Sequence, residues 1–445
     1  MLYVKRIVFY LFLIIAINFI LLYVLLDFSM TIKVAGLIVL AALYIYYNIK
    51  PDTDKGSPVK HKVLIGGYEL LLASAVLYAT QTLLHIYLFR FIDYGWFFWI
   101  ISINLVVSMA LAFLISLNGF IRVFSTAGQL GLGLRLALIF MWWIPVANTI
   151  LFAITCRIVK KEYRILFDKR IINESRAGNK ICQTKYPILM VHGVFFRDWK
   201  YVNYWGRIPK ELTSNGASIF YGSHNSSLTV EQSAEELEKR ITEIINETNC
   251  GKLNVIAHSK GGLDMRYAIS CLDMDKYVAS LTTVNTPHRG SPIAGTAVDK
   301  LPEKLVSTIG SGYEKLFTKL GDDNIDFLGS INGLTPEKCE ELNGIMTDRE
   351  GILYQSLGST MSSVVSAAFP LNAGYAILKH VGGDNDGLVC TDSMMWGDFL
   401  GVQKTFGRKG ISHGDIIDMT RKNIPGFDVS EYFVDLVYRL KEKGL

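Results

Sequence analysis

A serine sits between small residues in Ala257-His258-Ser259-Lys260-Gly261, with the apolar run Leu253–Ile256 before it. After it, Met265, Tyr267 and Ile269 continue in a helical pattern. A serine held on a sharp strand-to-helix turn projects its hydroxyl as a nucleophile, and small neighbours let the turn close. The N-terminus of the helix that follows offers backbone donors to a developing oxyanion. Such a serine needs a base, and the base needs an orienting carboxylate. Downstream of Ser259 the histidines are His288, His380 and His413. His288 comes directly after a strand-like run, too early to serve as the base. His380 precedes the acidic turn Gly382-Gly-Asp384-Asn385-Asp386-Gly387, whereas the base should follow its acid, so His413 is left. The turn offers two acids, and the local pattern separates Asp386 from Asp384 only weakly. The constellation reads Ser259, Asp386, His413, and its chemistry is acyl transfer through a covalent intermediate.

These residues need a scaffold. Tyr186–Val191, Ser218–Tyr221, Leu253–Ile256 and Leu281–Val284 are short apolar runs of the kind that form strands buried on both faces of a parallel sheet. Between them, Val230, Ala234, Leu237, Ile241, Ile244 and Ile245 recur at helical spacing. Thr229 with Gln232 three residues later forms a capping-box pattern at the start of that helix. Strands alternating with helices predict a mostly parallel sheet flanked by helices, with right-handed crossovers.

With these motifs in hand, the chain resembles the bacterial triacylglycerol lipases of the α/β-hydrolase superfamily. The resemblance rests on V-H-G-V at 191–194, A-H-S-K-G-G-L-D at 257–264, N-T-P-H-R-G-S-P at 285–292, N-D-G-L-V at 385–389 and S-H-G-D at 412–415. It implies Asp386 as the acid, His413 as the base, and the backbone N–H groups of Val194 and Lys260 as the oxyanion hole. His192 then shapes the loop, and Asp264 and Arg266 are expected as a structural ion pair or as helix surface. Lys260 stands where relatives carry Gln or Met, and places a cation beside the site. No cofactor is required. Many relatives hold a structural calcium through two aspartates, and Asp415 occupies one position. The other is missing, because 360–381 contains no acid. From 293 to 353 an insertion repeats apolar residues at three to four (Leu301, Leu305, Val306, Ile309, then Leu316, Phe317, Leu320), which fits either a lid or helices packed on the sheet.

The rest of the chain has another character. Half of the 445 residues are hydrophobic, and the long apolar runs concentrate in the first 156. Five stretches are long enough to cross a bilayer: Ile7–Leu26, Ile32–Tyr47, Leu64–Phe89, Trp96–Leu117 and Leu134–Cys156. Aromatics cluster at their ends (Tyr44, Tyr46, Tyr47, Tyr94, Trp96 to Trp99) as in interfacial belts. Asn118–Gly133 reads as a loop or interfacial segment. No small-residue cleavage site follows the first stretch, which therefore reads as an anchor rather than a removed signal. Glu69 and His85 lie near the ends of their span, as interfacial or snorkelling side chains do. Lys5, Arg6, Lys50, Lys55, Lys60 and Lys62 favour a cytoplasmic N-terminus and, with five spans, a hydrolase outside. Arg157, Lys160, Lys161, Arg164, Lys169 and Arg170 favour the opposite, and the balance leans slightly outward.

The expected organisation is therefore an N-terminal transmembrane α-helical bundle (1–156, multi-pass), a basic linker (157–185) and an α/β-hydrolase domain (186–445). Six scattered cysteines without a C-x-x-C pair give no zinc or dithiol motif, and are expected as free thiols. A net charge of +5 without a Lys/Arg stripe interleaved with aromatics argues against nucleic acid. The partners expected are a lipid ester and the bilayer, and the oligomeric state is not encoded legibly. Two rivals stand beside a lipase: a phospholipase or acyltransferase with the same triad, and a membrane transport or interaction protein bearing an inactive hydrolase domain.

Overall fold

The computed structural model describes residues 2–51, 57–90, 95–194, 203–295 and 327–445, which divide into two units, Met1–Ile172 and Asn173–Leu445. The first unit is helical: α1 (Leu2–Ile17), α2 (Phe19–Leu25), α3 (Met30–Ile49), α4 (Val59–Arg90), α5 (Trp96–Thr126), α6 (Leu132–Phe140) and α7 (Pro145–Arg176). By length and composition α3, α4 and α5 can each cross a membrane, and α1 with α2 form a fourth candidate bent by 67°. Helix α3 turns Ile32, Val34, Leu37, Ile38, Val39 and Ile45 outward. A continuous apolar face of this kind is costly in water and suited to lipid.

Three expectations change here. The fifth stretch, Leu134–Cys156, is interrupted: α6 stops at Phe140 and α7 starts at Pro145, whose ring cannot continue a preceding helix. Asn118–Gly133 is helical as far as Thr126. Its polar side chains find partners, since Asn118 Nδ2 donates to Asn48 O at 2.8 Å and Arg122 donates to Asn48 O and Ile49 O, while Val123 is buried. Glu69 and His85 do not snorkel. Glu69 is buried against Arg6, and buried His85 meets Asn104 at 3.4 Å and donates from Nδ1 to Gln81 O at 2.9 Å. The basic stretch after Cys156 continues α7 as far as Arg176.

The second unit is a six-stranded parallel sheet of order β2-β1-β3-β4-β5-β6. The strands are β1 (Ile188–Val191), β2 (Ile219–Tyr221), β3 (Leu253–His258), β4 (Val278–Val284), β5 (Leu353–Ser359) and β6 (Asp398–Gln403). Alternation along β1 sorts the core into two layers. Ile188 and Met190 meet Trp205, α8 (Ile208–Ser214) and α14 (Val429–Glu442) on one face. Leu189 and Val191 meet α9 (Val230–Thr248) and α10 (Lys260–Cys271) on the other. Burial on both faces is why these strands read as unbroken apolar runs. The capping box forms as expected, with Gln232 N donating to Thr229 Oγ1.

Strands β5 and β6 escape the apolar-run test. In β5, Gln355, Ser356 and Ser359 are buried yet paired, with Thr282, Trp396 and Asn285 respectively. In the insertion, Leu301 to Leu320 lie outside the described residues. Beyond them come α11 (Phe327–Asn332) and α12 (Pro336–Ile345), and Cys339 and Leu342 of α12 pack with Val230, Leu263 and Met346. Helix α13 (Leu371–Val381) precedes the acidic turn. The six cysteines are unpaired.

Candidate active site

All strands being parallel, their C-terminal ends share one edge, where ligands of open α/β sheets bind. Ser259 stands there, at the end of β3 and the start of α10, with φ 54° and ψ −132°. A non-glycine residue held at this conformation stores strain that the surroundings must stabilise. They do so through Ser259 N donating to Val284 O at 2.9 Å, and Thr286 Oγ1 donating to Ser259 O at 2.8 Å. The small neighbours are required by contact. A Cβ on Gly261 would lie 2.4 Å from His192 O, and one on Gly193 would lie 2.7 Å from Ser259 Cβ. The serine is buried but for 7% of its surface.

Asp386 and His413 meet on the same edge. His413 Nδ1 donates to Asp386 Oδ2 at 2.6 Å, and His413 N donates to Asp386 O at 2.9 Å. The carboxylate is fully buried and saturated: Oδ1 accepts from Leu388 N (2.9 Å) and Val389 N (2.8 Å), while Oδ2 also accepts from Asn285 Nδ2 (2.6 Å). Backbone and side-chain donors of this kind fix a carboxylate's position and leave neither of its oxygens unpaired. Asp384, the rival acid, lies at the surface paired with Lys379, and His380 is exposed. His288 is buried between Thr283 and Arg266 and stacked on Trp396, and burial holds it neutral, its pKa well below the ordinary value.

Val194, half-buried, lies three residues past β1, and Lys260 opens α10. The first N–H groups of a helix have no intrahelical acceptor, so Lys260 N is available to an oxyanion. The Lys260 side chain does not stand beside the site. It turns into the protein, where Nζ meets Asp264 Oδ1 at 2.7 Å, Ser233 Oγ at 2.8 Å and Thr229 O at 3.3 Å. Burial pushes this ammonium pKa down and the Asp264 carboxyl pKa up to about 7, and the mutual pairing opposes both shifts. Asp264 and Arg266 are therefore neither paired with each other nor at the surface. Arg266 is buried over the Trp396 ring, 3.4 Å from its centroid, and donates to Asn343 Oδ1 at 2.8 Å. His192 lies in the loop, stacked on His224 with ring centroids 4.4 Å apart, and its Nδ1 donates to Gly193 O.

The residues present do not fit the calcium site. Both Asp415 oxygens accept from hydroxyls, Ser412 Oγ at 2.7 Å and Thr420 Oγ1 at 3.1 Å. Among the described residues no group of three acidic, His or Cys side chains could hold a metal. Sequence reasoning passed over Asn285, Tyr204 and His258. Asn285 lay inside a quoted motif, and a polar residue directly after a strand pointing at the active edge was the signal.

Residues 185–308 match the family model described as "Putative serine esterase (DUF676)". A triacylglycerol lipase of Burkholderia plantarii is 33% identical over 180 residues, 38% of this chain and 49% of the relative. One of Vibrio cholerae is 29% identical over 241 residues, 49% of this chain and 76% of the relative. Triacylglycerol lipase 2 of Saccharomyces cerevisiae is 30% identical over 235 residues, 51% of this chain and 67% of the relative. The chain thus spans about half the length of the Burkholderia relative and between two thirds and about three quarters of the other two.

Proposed function

This chain belongs to the triacylglycerol lipase family of α/β-hydrolases, and on that premise we propose that it is a membrane-anchored serine carboxylic ester hydrolase acting on acylglycerols or related lipid esters. Ser259 Oγ attacks the ester carbonyl as His413 takes its proton. The N–H groups of Val194 and Lys260 receive the oxyanion, where the loss of one such donor costs about 3 kcal/mol. His413 then hands the proton to the leaving alcohol, and water, activated by the same imidazole, releases the acid from the acyl-enzyme. Asp386 holds the tautomer with Nε2 bare and stabilises the imidazolium. The observation that carries this reading is the 2.6 Å contact from His413 Nδ1 to a buried, four-times hydrogen-bonded carboxylate, on the sheet edge where a strained serine opens a helix. A structural histidine has no need of so prepared an anion.

The same reading includes a topology. With α1 and α2 counted as one span and α6 broken from α7, the described residues offer up to four candidate spans rather than five, and four is the count adopted in this proposal. Lys5 and Arg6, then Lys50, Lys55, Lys60 and Lys62, then Arg157 through Arg170 all fall on one side of a four-span chain. By the positive-inside rule that side is the cytoplasm, and the hydrolase domain follows on it. The two basic groups that conflict under five spans agree under four.

The test is labelling with fluorophosphonate probes in cells carrying the full chain. A permeant probe should label the wild type and not Ser259→Ala, and an impermeant one should label only after lysis. Equal labelling of both forms, or of neither, would sink the enzyme reading. Impermeant labelling of intact cells would sink the topology alone. Turnover of triacylglycerol, phospholipid and an added alcohol acceptor then separates lipase from phospholipase and acyltransferase.

A further inference from the structure

A hydrogen-bonded line runs from the oxyanion loop to the base, and every direction in it is forced. His258 Nε2 lies 3.0 Å from the carbonyl of His413, which can only accept, so Nε2 carries the hydrogen. The ring is wholly buried, and burial lowers its pKa well below the ordinary value, so it is neutral and Nδ1 is bare. Nδ1 therefore accepts from the Tyr204 hydroxyl at 2.6 Å. The Tyr204 oxygen, its hydrogen committed, accepts from Gly193 N at 3.1 Å. Gly193 immediately precedes Val194, and the amide of His413 is held from the other side by Asp386 O at 2.9 Å.

We propose that Tyr204 and His258 are positioning residues that tie the loop bearing the Val194 oxyanion donor to the backbone of His413, so that oxyanion hole and base are set as one unit. This rests on the reading of Ser259, His413 and Val194 proposed above. Among the described residues neither side chain reaches Ser259 Oγ through a hydrogen bond; the His258 ring lies against the His413 imidazole, ring centroids 4.6 Å apart, and so seats the base as well as its backbone. Their role is to hold the donor and base at the spacing the tetrahedral intermediate requires, where misplacement by about 1 Å can cost about 100-fold. His258 reaches the line only because it is the residue before the nucleophile, so the same strand end fixes all three parts.

The competing role is core filling, since Tyr204 packs on Trp205, His192 and His258 rings. Tyr204→Phe keeps the ring and removes the link. In the full-length protein in detergent, kcat for a soluble ester should fall about tenfold, the scale of one lost hydrogen bond. KM should stay within about twofold, and affinity for an alkylboronic acid, which mimics the tetrahedral state, should fall by the same factor as kcat. His258→Gln, whose amide can still donate to His413 O, should keep more activity than His258→Leu. The double variant Tyr204→Phe/His258→Leu should be no slower than His258→Leu alone, because a line cut once is cut. Rates are taken per site that the fluorophosphonate probe finally labels, so a poorly folded preparation does not count as a slow one. Wild-type kcat and boronate affinity in Tyr204→Phe, no advantage of Gln over Leu, or losses that multiply in the double variant would each overturn the proposal. If the wild type itself neither labels nor hydrolyses, the functional reading fails instead.

Discussion

Asparagine at position 386 would remove one charge and almost no volume, and the structure says where the damage falls. The new amide must put its NH2 where Oδ1 or Oδ2 now lies. At Oδ1 it would face the N–H groups of Leu388 and Val389, donor against donor in a fully buried site, at about 1–3 kcal/mol for each group left unsatisfied. At Oδ2 it meets Asn285 Nδ2 and His413 Nδ1, and the imidazole can adapt by changing tautomer. That placement is cheaper, so it is the one Asp386→Asn should adopt. The amide then donates to Nδ1, and the imidazole proton moves to Nε2, the atom that must be bare to accept from Ser259. Stability should fall by no more than about 1–3 kcal/mol, the price of Asn285's lost acceptor. The rate should fall about 10⁴-fold, close to 5.4 kcal/mol of barrier, as expected of a base locked in the wrong tautomer. Asp384→Asn, which touches only an exposed pair with Lys379, should stay within about twofold. The assay is initial ester hydrolysis by the full-length protein in detergent, with a thermal melt beside each rate. An Asp386→Asn enzyme within tenfold of wild type, or an Asp384→Asn enzyme more impaired than it, would refute the assignment of acid and base.

Two further substitutions probe the frame around Ser259. Gly261→Ala should lower the melting temperature by the equivalent of about 1–3 kcal/mol, because its Cβ would sit 2.4 Å from His192 O and 3.0 Å from Val191 Cγ1. Gly344→Ala, in α12 with nothing within 4 Å, should be neutral or stabilising by up to about 1 kcal/mol, and equal melts for the two would contradict the packing argument. Lys260→Met should cost about 3–5 kcal/mol at neutral pH by leaving Asp264 buried without its cation. The sign of its pH dependence follows from burial, which raises the folded carboxyl pKa above the unfolded value. Between those two values the folded form binds more protons, so the variant should melt higher as pH is lowered from 8 towards 5. A melting temperature flat or falling over that range would show that the buried His224 imidazole, 3.5 Å from Asp264 Oδ2, takes over as its partner.

The residues proposed to react stand out in the sequence because their chemistry is scarce. The chain has eight histidines, three of them after Ser259, and the order of acid and base left one. The acid was harder: Asp384 and Asp386 share one turn, and only folding shows that one faces Lys379 in solvent while the other turns inward to four donors. Strands β1 to β4 were legible as apolar runs. Strand β5 was not, because its polar residues are satisfied by neighbours far along the chain, as Gln355 is by Thr282. The Lys260 cation was misplaced for a related reason. Its position beside Ser259 in sequence says where its backbone lies, but the side chain follows the carboxylate one helical turn on, at Asp264, away from the active edge.

The apolar N-terminal unit exposes a different limit. Hydropathy over Leu134–Cys156 counts apolar residues and reports a span, yet Pro145 interrupts the helix after Phe140, and α7 from there becomes basic within its first half. An average over a window is blind to a single missing N–H. That one break changes the parity of the crossings, and with it the side on which the hydrolase is read. The charge pattern supplies an independent constraint, because every basic cluster must share a side with the others. Under five crossings the clusters oppose each other; under four they agree. Two weak signals that conflict under one count and coincide under another discriminate between the counts better than either does alone, and this is the ground on which the four-span topology is proposed.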